Sequence, residues 1–188
     1  MFRMLTVLTF ALVQAALAQA STLRAITVSL LLPLSSSIRE QATDVRSGAL
    51  LALGAARLEF RVLEFDLWLK SYDDRSDPAE GEKQAQRILE DSDTLAVLGA
   101  INSGVTLPTS TVFARNSLTL VSPKSTNPKV TERGLENVNR ICARDDAQGP
   151  AAAEFVSSAL GAKSVYVFDD ATVYGKRLAE LFRVVAFW

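Results

Sequence analysis

Residues 96–126 read AVLGAINSGVTLPTSTVFARNSLTLVSPKST. Two apolar runs, Leu95 to Leu98 and Leu118 to Val121, each pass into a cluster of small hydroxyl and amide residues, with a helical segment from Thr106 to Arg115 between them. The order is strand, polar loop, helix, strand, polar loop. An open α/β sheet binds ligands at the carboxyl ends of its parallel strands. Both loops are therefore expected to face one small polar ligand.

The same alternation extends in both directions. Towards the N-terminus, Arg24 to Leu32 (RAITVSLLL) is β-branched and apolar enough for a buried strand, closed by Pro33 and a serine loop. From Gln41 to Leu58 the residues Val45, Ala49, Ala52, Leu53 and Ala56 recur at helical spacing. Arg61 to Tyr72 alternates with period two, Phe65, Leu67 and Leu69 against Asp66, Trp68 and Lys70, and predicts the second strand. Asp77 or Ser76 then caps a helix that has Pro78 in its first turn and ends near Glu90. Thr94 to Gly99 is the third strand and Leu118 to Val121 the fourth. Such repeated β-α-β order implies parallel strands.

Towards the C-terminus a polar loop, Lys124 to Asn137, leads to a short strand, Val138 to Cys142. Asp145 and Asp146 are expected to cap a helix from Ala147 to Leu160, with Gly149-Pro150 in its first turn. Ser164 to Phe168 (SVYVF) alternates as a strand, and Tyr174, Leu178, Leu181 and Phe182 form a last helical stripe.

Composition narrows the function. The chain has 188 residues, room for one domain and part of a second, and its 20 Lys and Arg against 21 Asp and Glu leave no basic surface for nucleic acid. Histidine is absent, which removes Ser/His/Asp and Cys/His catalysis and the commonest transition-metal ligand. Cys142 is the single cysteine, so no internal disulfide forms; it reads as a small buried hydrophobe. The opening MFRMLTVLTFALVQAALAQA, with Arg3, an apolar run and the small residues Ala16 and Ala18, reads as a secretory signal peptide over residues 1–20. Cleavage after Ala18 or Ala20 would leave a soluble exported protein with no membrane insertion.

The loops admit several chemistries. Gly99 and Gly104 have phosphate-loop spacing, but Val105 stands where the lysine is needed, and no glycine fingerprint follows the first strand, so neither nucleotide motif is met. A small-residue loop entering a helix does suit a carboxylate, through free N–H groups and the Ser103 and Thr106 hydroxyls. The alternative is that Ser103 or Thr106 merely caps the helix. Ser125 and Thr126 add hydroxyls at the neighbouring strand end. Asp73, Asp74 and Asp77 lack the ligand number and glycine of a calcium loop and read as a turn and a cap. Asp169-Asp170 reads as a turn, since adjacent strand residues point to opposite faces. No metal site and no cofactor are expected.

Taken together, Tyr72 to Pro78, Gly99 to Ser103, Ser122 to Pro128 with Thr131 and Arg133-Gly134, Asp145 to Pro150, and Asp169 to Gly175 resemble successive blocks of the periplasmic leucine/isoleucine/valine-binding proteins, receptors for ABC importers. The resemblance runs in order from about Arg24 to Phe182. It implies a type I periplasmic binding fold in which α/β lobes, each a parallel sheet between helical layers, close on an amino acid. The first lobe would be residues 22–143. Residues 144–188 would begin a second lobe that stops early, making the chain a truncated fragment.

By position, Ser103 matches a hydroxyl that holds the ligand carboxylate, and Thr126 one that holds the head group. Ile101, Asn102, Lys124 and Ser125 line the same wall, and Tyr174 matches an aromatic of the second lobe. Gln41 stands where the family often has Tyr, Lys124 where it has a small residue, and Ser76 and Asn102 where several members have a disulfide pair. Lys124 permits a more acidic ligand. The implied role is an extracytoplasmic, non-enzymatic receptor that delivers an amino acid of branched-chain or related type to permease subunits. A sensor module of the same fold, acting through a signalling partner, is the other reading. An exported enzyme would need a Ser/Lys or carboxylate arrangement.

Overall fold

The structure is a computed structural model and describes residues 23–186. The expected signal segment, residues 1–20, lies outside the described residues. Five strands form one parallel sheet in the order β2-β1-β3-β4-β5. They are β1 (Arg24–Leu32), β2 (Phe65–Asp73), β3 (Thr94–Gly99), β4 (Thr119–Ser122) and β5 (Val138–Arg140). The helices are α1 (Arg39–Val62), α2 (Pro78–Leu89), α3 (Ser103–Arg115), α4 (Asp145–Glu154) and α5 (Val173–Ala186).

β1 is the middle of the core, and its alternating side chains serve both faces. Leu30 and Leu32 cluster with Ala42, Ile101, Val45, Ala49, Leu69 and Leu98, placing α1 on one side. Leu31 points the other way and joins Tyr72, Val97 and Leu120 beneath Ala85, Ile88, Val105 and Phe113 of α2 and α3. A strand covered on both faces loses its polar alternation, and β1 does so at its end, where Leu30, Leu31 and Leu32 follow one another and all are buried. The helices α2 and α3 touch so closely that a β-carbon on Gly81 would lie 2.6 Å from a Val105 methyl.

Local chemistry fixes several boundaries. Asp77 is the N-cap of α2 and accepts from the Glu80 N–H at 2.7 Å, with Pro78 next in the chain. Glu64, in the left-handed region at φ 65°, reverses the chain between α1 and β2. The helix α1 reaches Val62, so Arg61 and Val62 are helical and β2 starts at Phe65, four residues later than its alternation suggested. Trp68 is half exposed on β2, the edge strand of the sheet, with the Arg57 guanidinium 5.6 Å from its ring.

The C-terminal part departs further from expectation. The helix α4 begins at Asp145, is followed by a π-helical turn, Phe155–Ala159, and has Arg144 as its N-cap with no side-chain cap bond. Neither Asp145 nor Asp146 caps it, and Pro150 falls beyond its first turn. Residues 164–168 form no strand, and Tyr166 and Phe168 are almost fully exposed. An alternating segment becomes a strand only where a neighbour takes up its backbone hydrogen bonds, and no described residue supplies one. The helices α4 and α5 pack on each other, with Gly149 against the backbone at Leu181 and Phe182. The start of α5 touches α3: a β-carbon on Gly104 would lie 3.5 Å from a Val173 methyl.

The strand order reverses between β1 and β3. From β1 the chain crosses to β2 on one side, then returns past β1 to build β3, β4 and β5 on the other. The loops after β1 and β3 consequently diverge to opposite faces, opening a crevice outside the carboxyl ends of these strands. Gly99 ends β3 at φ 149°, where a β-carbon would lie 2.1 Å from the Leu31 carbonyl oxygen. Only glycine permits that approach.

Candidate functional site

The loops at the ends of β3 and β4 are built around one backbone oxygen. The Ala100 carbonyl takes the Ser122 hydroxyl at 2.8 Å and lies 3.1 Å from Ser125 Oγ and 3.3 Å from Thr106 Oγ1. Ser125 Oγ is also 3.0 Å from the Ile101 carbonyl and 2.5 Å from Thr106 Oγ1. All three hydroxyl residues are buried. The Ser125 side chain thus fixes one loop to the other from within, and its hydroxyl is engaged there.

Neither Ser103 nor Thr106 caps α3. Its N-cap is Asn102, which makes no side-chain cap bond, and Ser103 is the first helical residue. Buried Ser103 accepts the Asn127 N–H at 3.3 Å. Its own hydrogen is not donated in any described hydrogen bond, and the first N–H groups of α3 have no carbonyl one turn earlier to reach. The Ser103 hydroxyl and helix start therefore form a donor set for an anion.

Arg140, at the end of β5, holds the second loop. Its Nη1 donates to the carbonyls of Thr126 at 3.1 Å and Asn127 at 2.9 Å, and its Nη2 to Thr131 Oγ1 at 3.0 Å. The Thr126 carbonyl also accepts the Asp145 N–H at 2.9 Å. Asn127 caps the short 3-10 turn that follows, accepting from the Lys129 N–H at 2.9 Å. Arg133 then ties this loop to α3 through the Leu107 carbonyl and the Ser110 and Thr111 hydroxyls.

Against this rigid frame two polar groups stand unsatisfied. Thr126 Oγ1 is buried without a hydrogen-bond partner, and both carboxylate oxygens of fully buried Asp145 are too. Burial pushes the Asp145 carboxyl above the usual carboxylate range, opposed by the Thr126 hydroxyl and the Arg140 charge. The two side chains are close enough to influence each other without completing a bond. Orphaned buried groups of this kind cost stability. A hydroxyl and a carboxylate left open together, beside the donor set at Ser103, offer complementary contacts for a zwitterion: donors for its carboxylate and acceptors for its ammonium.

Residues 25–186 match the family model described as Periplasmic binding protein. The chain belongs to the periplasmic binding protein family. Among its relatives, the Leu/Ile/Val-binding protein BraC3 of Rhizobium johnstonii is 36% identical over 158 residues, 84% of this chain and 43% of that protein. A leucine-binding protein LivK from Thermotoga maritima has the same fold at a TM-score of 0.79 and 31% identity, over 86% of this chain and 45% of the other. The isoleucine complex of LivJ from Streptococcus pneumoniae superposes at 0.77 with 24% identity, over 87% and 47%. The chain spans less than half the length of these relatives. Its five-stranded sheet between helices is the lobe of a type I periplasmic binding protein, the α/β class expected.

Within that family frame, the structure gathers Ile101, Asn102, Ser103, Lys124, Ser125 and Thr126 at the ends of β3 and β4. Ile101 is buried with Leu30, Leu32 and Ala42. Exposed Lys124 donates to Gln41 Oε1 at 2.8 Å. Tyr174 is partly exposed in the first turn of α5, next to the Val173 that meets α3. Cys142 is half-buried, its Sγ 3.5 Å from the Ser125 carbonyl, and burial raises its thiol pKa.

The acidic turns are taken up locally. Asp73 Oδ1 accepts from the N–H groups of Leu34 at 2.8 Å and Arg75 at 3.0 Å, and Asp170 from Thr172 at 3.0 Å. Two residues gain roles that local pattern did not give them, Asp145 and Arg140. An aspartate before a helix ordinarily signals a cap, and only the tertiary placement shows its carboxylate buried opposite Thr126.

Proposed function

We propose that this chain is the head-group-binding part of an extracytoplasmic solute receptor whose ligand is an amino acid and whose partners are the permease subunits of an ABC importer. The observation that carries this is the orphaned pair Thr126 and Asp145 beside the donor set at Ser103. Ser103 and the N–H groups opening α3 take the ligand carboxylate, while Thr126 and Asp145 take its ammonium. Ile101 and Asn102 complete the wall. Residues 22–143 form the lobe that receives the ligand first, and the segment from residue 144, carrying Tyr174, approaches from the other side of an interlobe cleft. The names of the relatives, Leu/Ile/Val-binding and leucine-binding proteins, support amino-acid binding. Among the described residues no helix is long and apolar enough to cross a membrane.

Calorimetric titration of the chain with the common amino acids tests this reading. Saturable binding that is lost in both Ser103→Ala and Thr126→Val supports it. Absence of binding to every amino acid by the folded chain overturns it.

A further inference from the structure

The crevice outside β1 and β3 has a second polar feature, separate from the head-group contacts. Lys124 precedes Thr126 by two residues in the loop after β4, and Gln41 lies in the first turn of α1, beyond β1. The two are joined across 83 residues by the 2.8 Å bond from Lys124 Nζ to Gln41 Oε1. Gln41 is adjacent to Ala42, which packs with Ile101, so this bridge crosses the same edge of the lobe as the site.

An ammonium has three N–H donors. Gln41, a neutral amide, takes one and leaves the charge intact. Among the described residues no carboxylate forms an ion pair with Lys124. Arg140, the nearby guanidinium on β5, is committed to backbone carbonyls and Thr131. Lys124 is thus a cation at this end of the lobe that is held in place with donors to spare. An aliphatic side chain lying against it would strip water from the ammonium and return no bond, which is costly. A side-chain carboxylate would return charge-assisted bonds.

Building on the amino-acid reading above, we propose that Lys124, positioned by Gln41, selects ligands that carry a second carboxylate, making this a site for a dicarboxylic amino acid and not for a branched-chain one. The head group binds at Ser103, Thr126 and Asp145. The side-chain carboxylate binds at Lys124.

Titration of the full chain with glutamate, aspartate, glutamine and leucine tests the assignment, alongside Lys124→Met and Gln41→Glu. Both substitutions are at exposed positions, and Gln41→Glu neutralises the lysine without removing it. A dicarboxylate is expected to bind at least tenfold more tightly than leucine, and both variants to erase that preference while leucine binding holds or improves. Leucine binding more tightly than either dicarboxylate in the unaltered chain overturns this proposal and leaves the amino-acid reading standing. Equal loss for every ligand in Lys124→Met also overturns it, because the lysine would then serve the shared head-group carboxylate. No binding to any of these four by the folded chain overturns this proposal, and the amino-acid reading falls with it only when the remaining common amino acids also fail to bind.

Discussion

The Asn127 N–H donates to the Ser103 hydroxyl at 3.3 Å, tying the loop after β4 to the first turn of α3. Ser103 thereby has two roles, one in holding the loops together and one in the proposed carboxylate contact. Thr126 has no hydrogen bond for its hydroxyl. Substitution separates the two cases. Ser103→Ala strands a buried N–H and is expected to lower stability by about 1–3 kcal/mol. Thr126→Val strands no backbone group and removes only the help its hydroxyl gives the Asp145 carboxylate, so it should lower the unfolding midpoint of the ligand-free chain less than Ser103→Ala does. Denaturant titration of both variants checks this; a loss in Thr126→Val equal to that in Ser103→Ala would refute it.

Asp145 predicts opposite effects with and without ligand. Its carboxylate is buried, unpartnered and harder to ionise than an ordinary aspartate. A carboxyl whose pKa is raised by folding stabilises the fold while it stays protonated, and that contribution is lost as pH rises through the folded value. The ligand-free chain should therefore lose stability over that range, and Asp145→Asn should remove the loss. Amino-acid affinity should behave inversely, falling as the carboxyl is protonated and falling in Asp145→Asn at neutral pH. Thermal melts and calorimetry across pH test the two halves separately.

Asp74 gives a pH effect away from the ligand. It is buried at the end of β2, one oxygen accepting the Ser76 N–H at 2.8 Å and the other unpartnered. Burial raises its pKa from 3.8 to about 6, against the Ser76 bond and with help from the Asp73 charge. Below the lower value the group is neutral in both folded and unfolded chains. Between the two values the unfolded chain ionises first, so stability falls with rising pH and levels off above the upper one. Two pKa units correspond to roughly 3 kcal/mol. Asp74→Asn should flatten this slope and be the more stable form at neutral pH; an unchanged slope in denaturant-derived stability would count against it.

Gly99 is the most restrictive position in the sheet. Its φ of 149° and the 2.1 Å approach of an added β-carbon to the Leu31 carbonyl leave no room for alanine without parting β1 from β3. Gly99→Ala is expected to cost several kcal/mol, in the range of about 3 kcal/mol or more typical of combined strain and core disruption. Gly134, also at positive φ but in open space, is the control. Gly134→Ala should cost about 1 kcal/mol. Comparing their unfolding midpoints decides the matter.

Much of the architecture was legible because its signals are local. Arg24–Leu32 is a strand as far as its apolar run extends, and Asp77-Pro78 announces α2 by cap chemistry. The boundary near Arg61 was not, because Arg61, Val62 and Leu63 suit helix and strand alike and the reversal depends on the backbone of Glu64. Ser164–Phe168 carries a strand pattern but lacks a described neighbour, and pairing is a tertiary property. At the site, the small hydroxyl residues marked the right loops. Their division of labour was hidden: Ser125 faces inwards to the Ala100 and Ile101 carbonyls, and Asp145 joins Thr126 only once β5 and α4 are in place.

The network centred on the Ala100 carbonyl has a kinetic consequence. Ser122, Ser125, Thr106, Asn127 and Arg140 hold both loops in position through bonds within the protein, so the proposed capture of an amino acid requires little local reordering. Encounter rates for different amino acids should then be alike, governed by diffusion and charge. Discrimination among them will appear in how long each one stays.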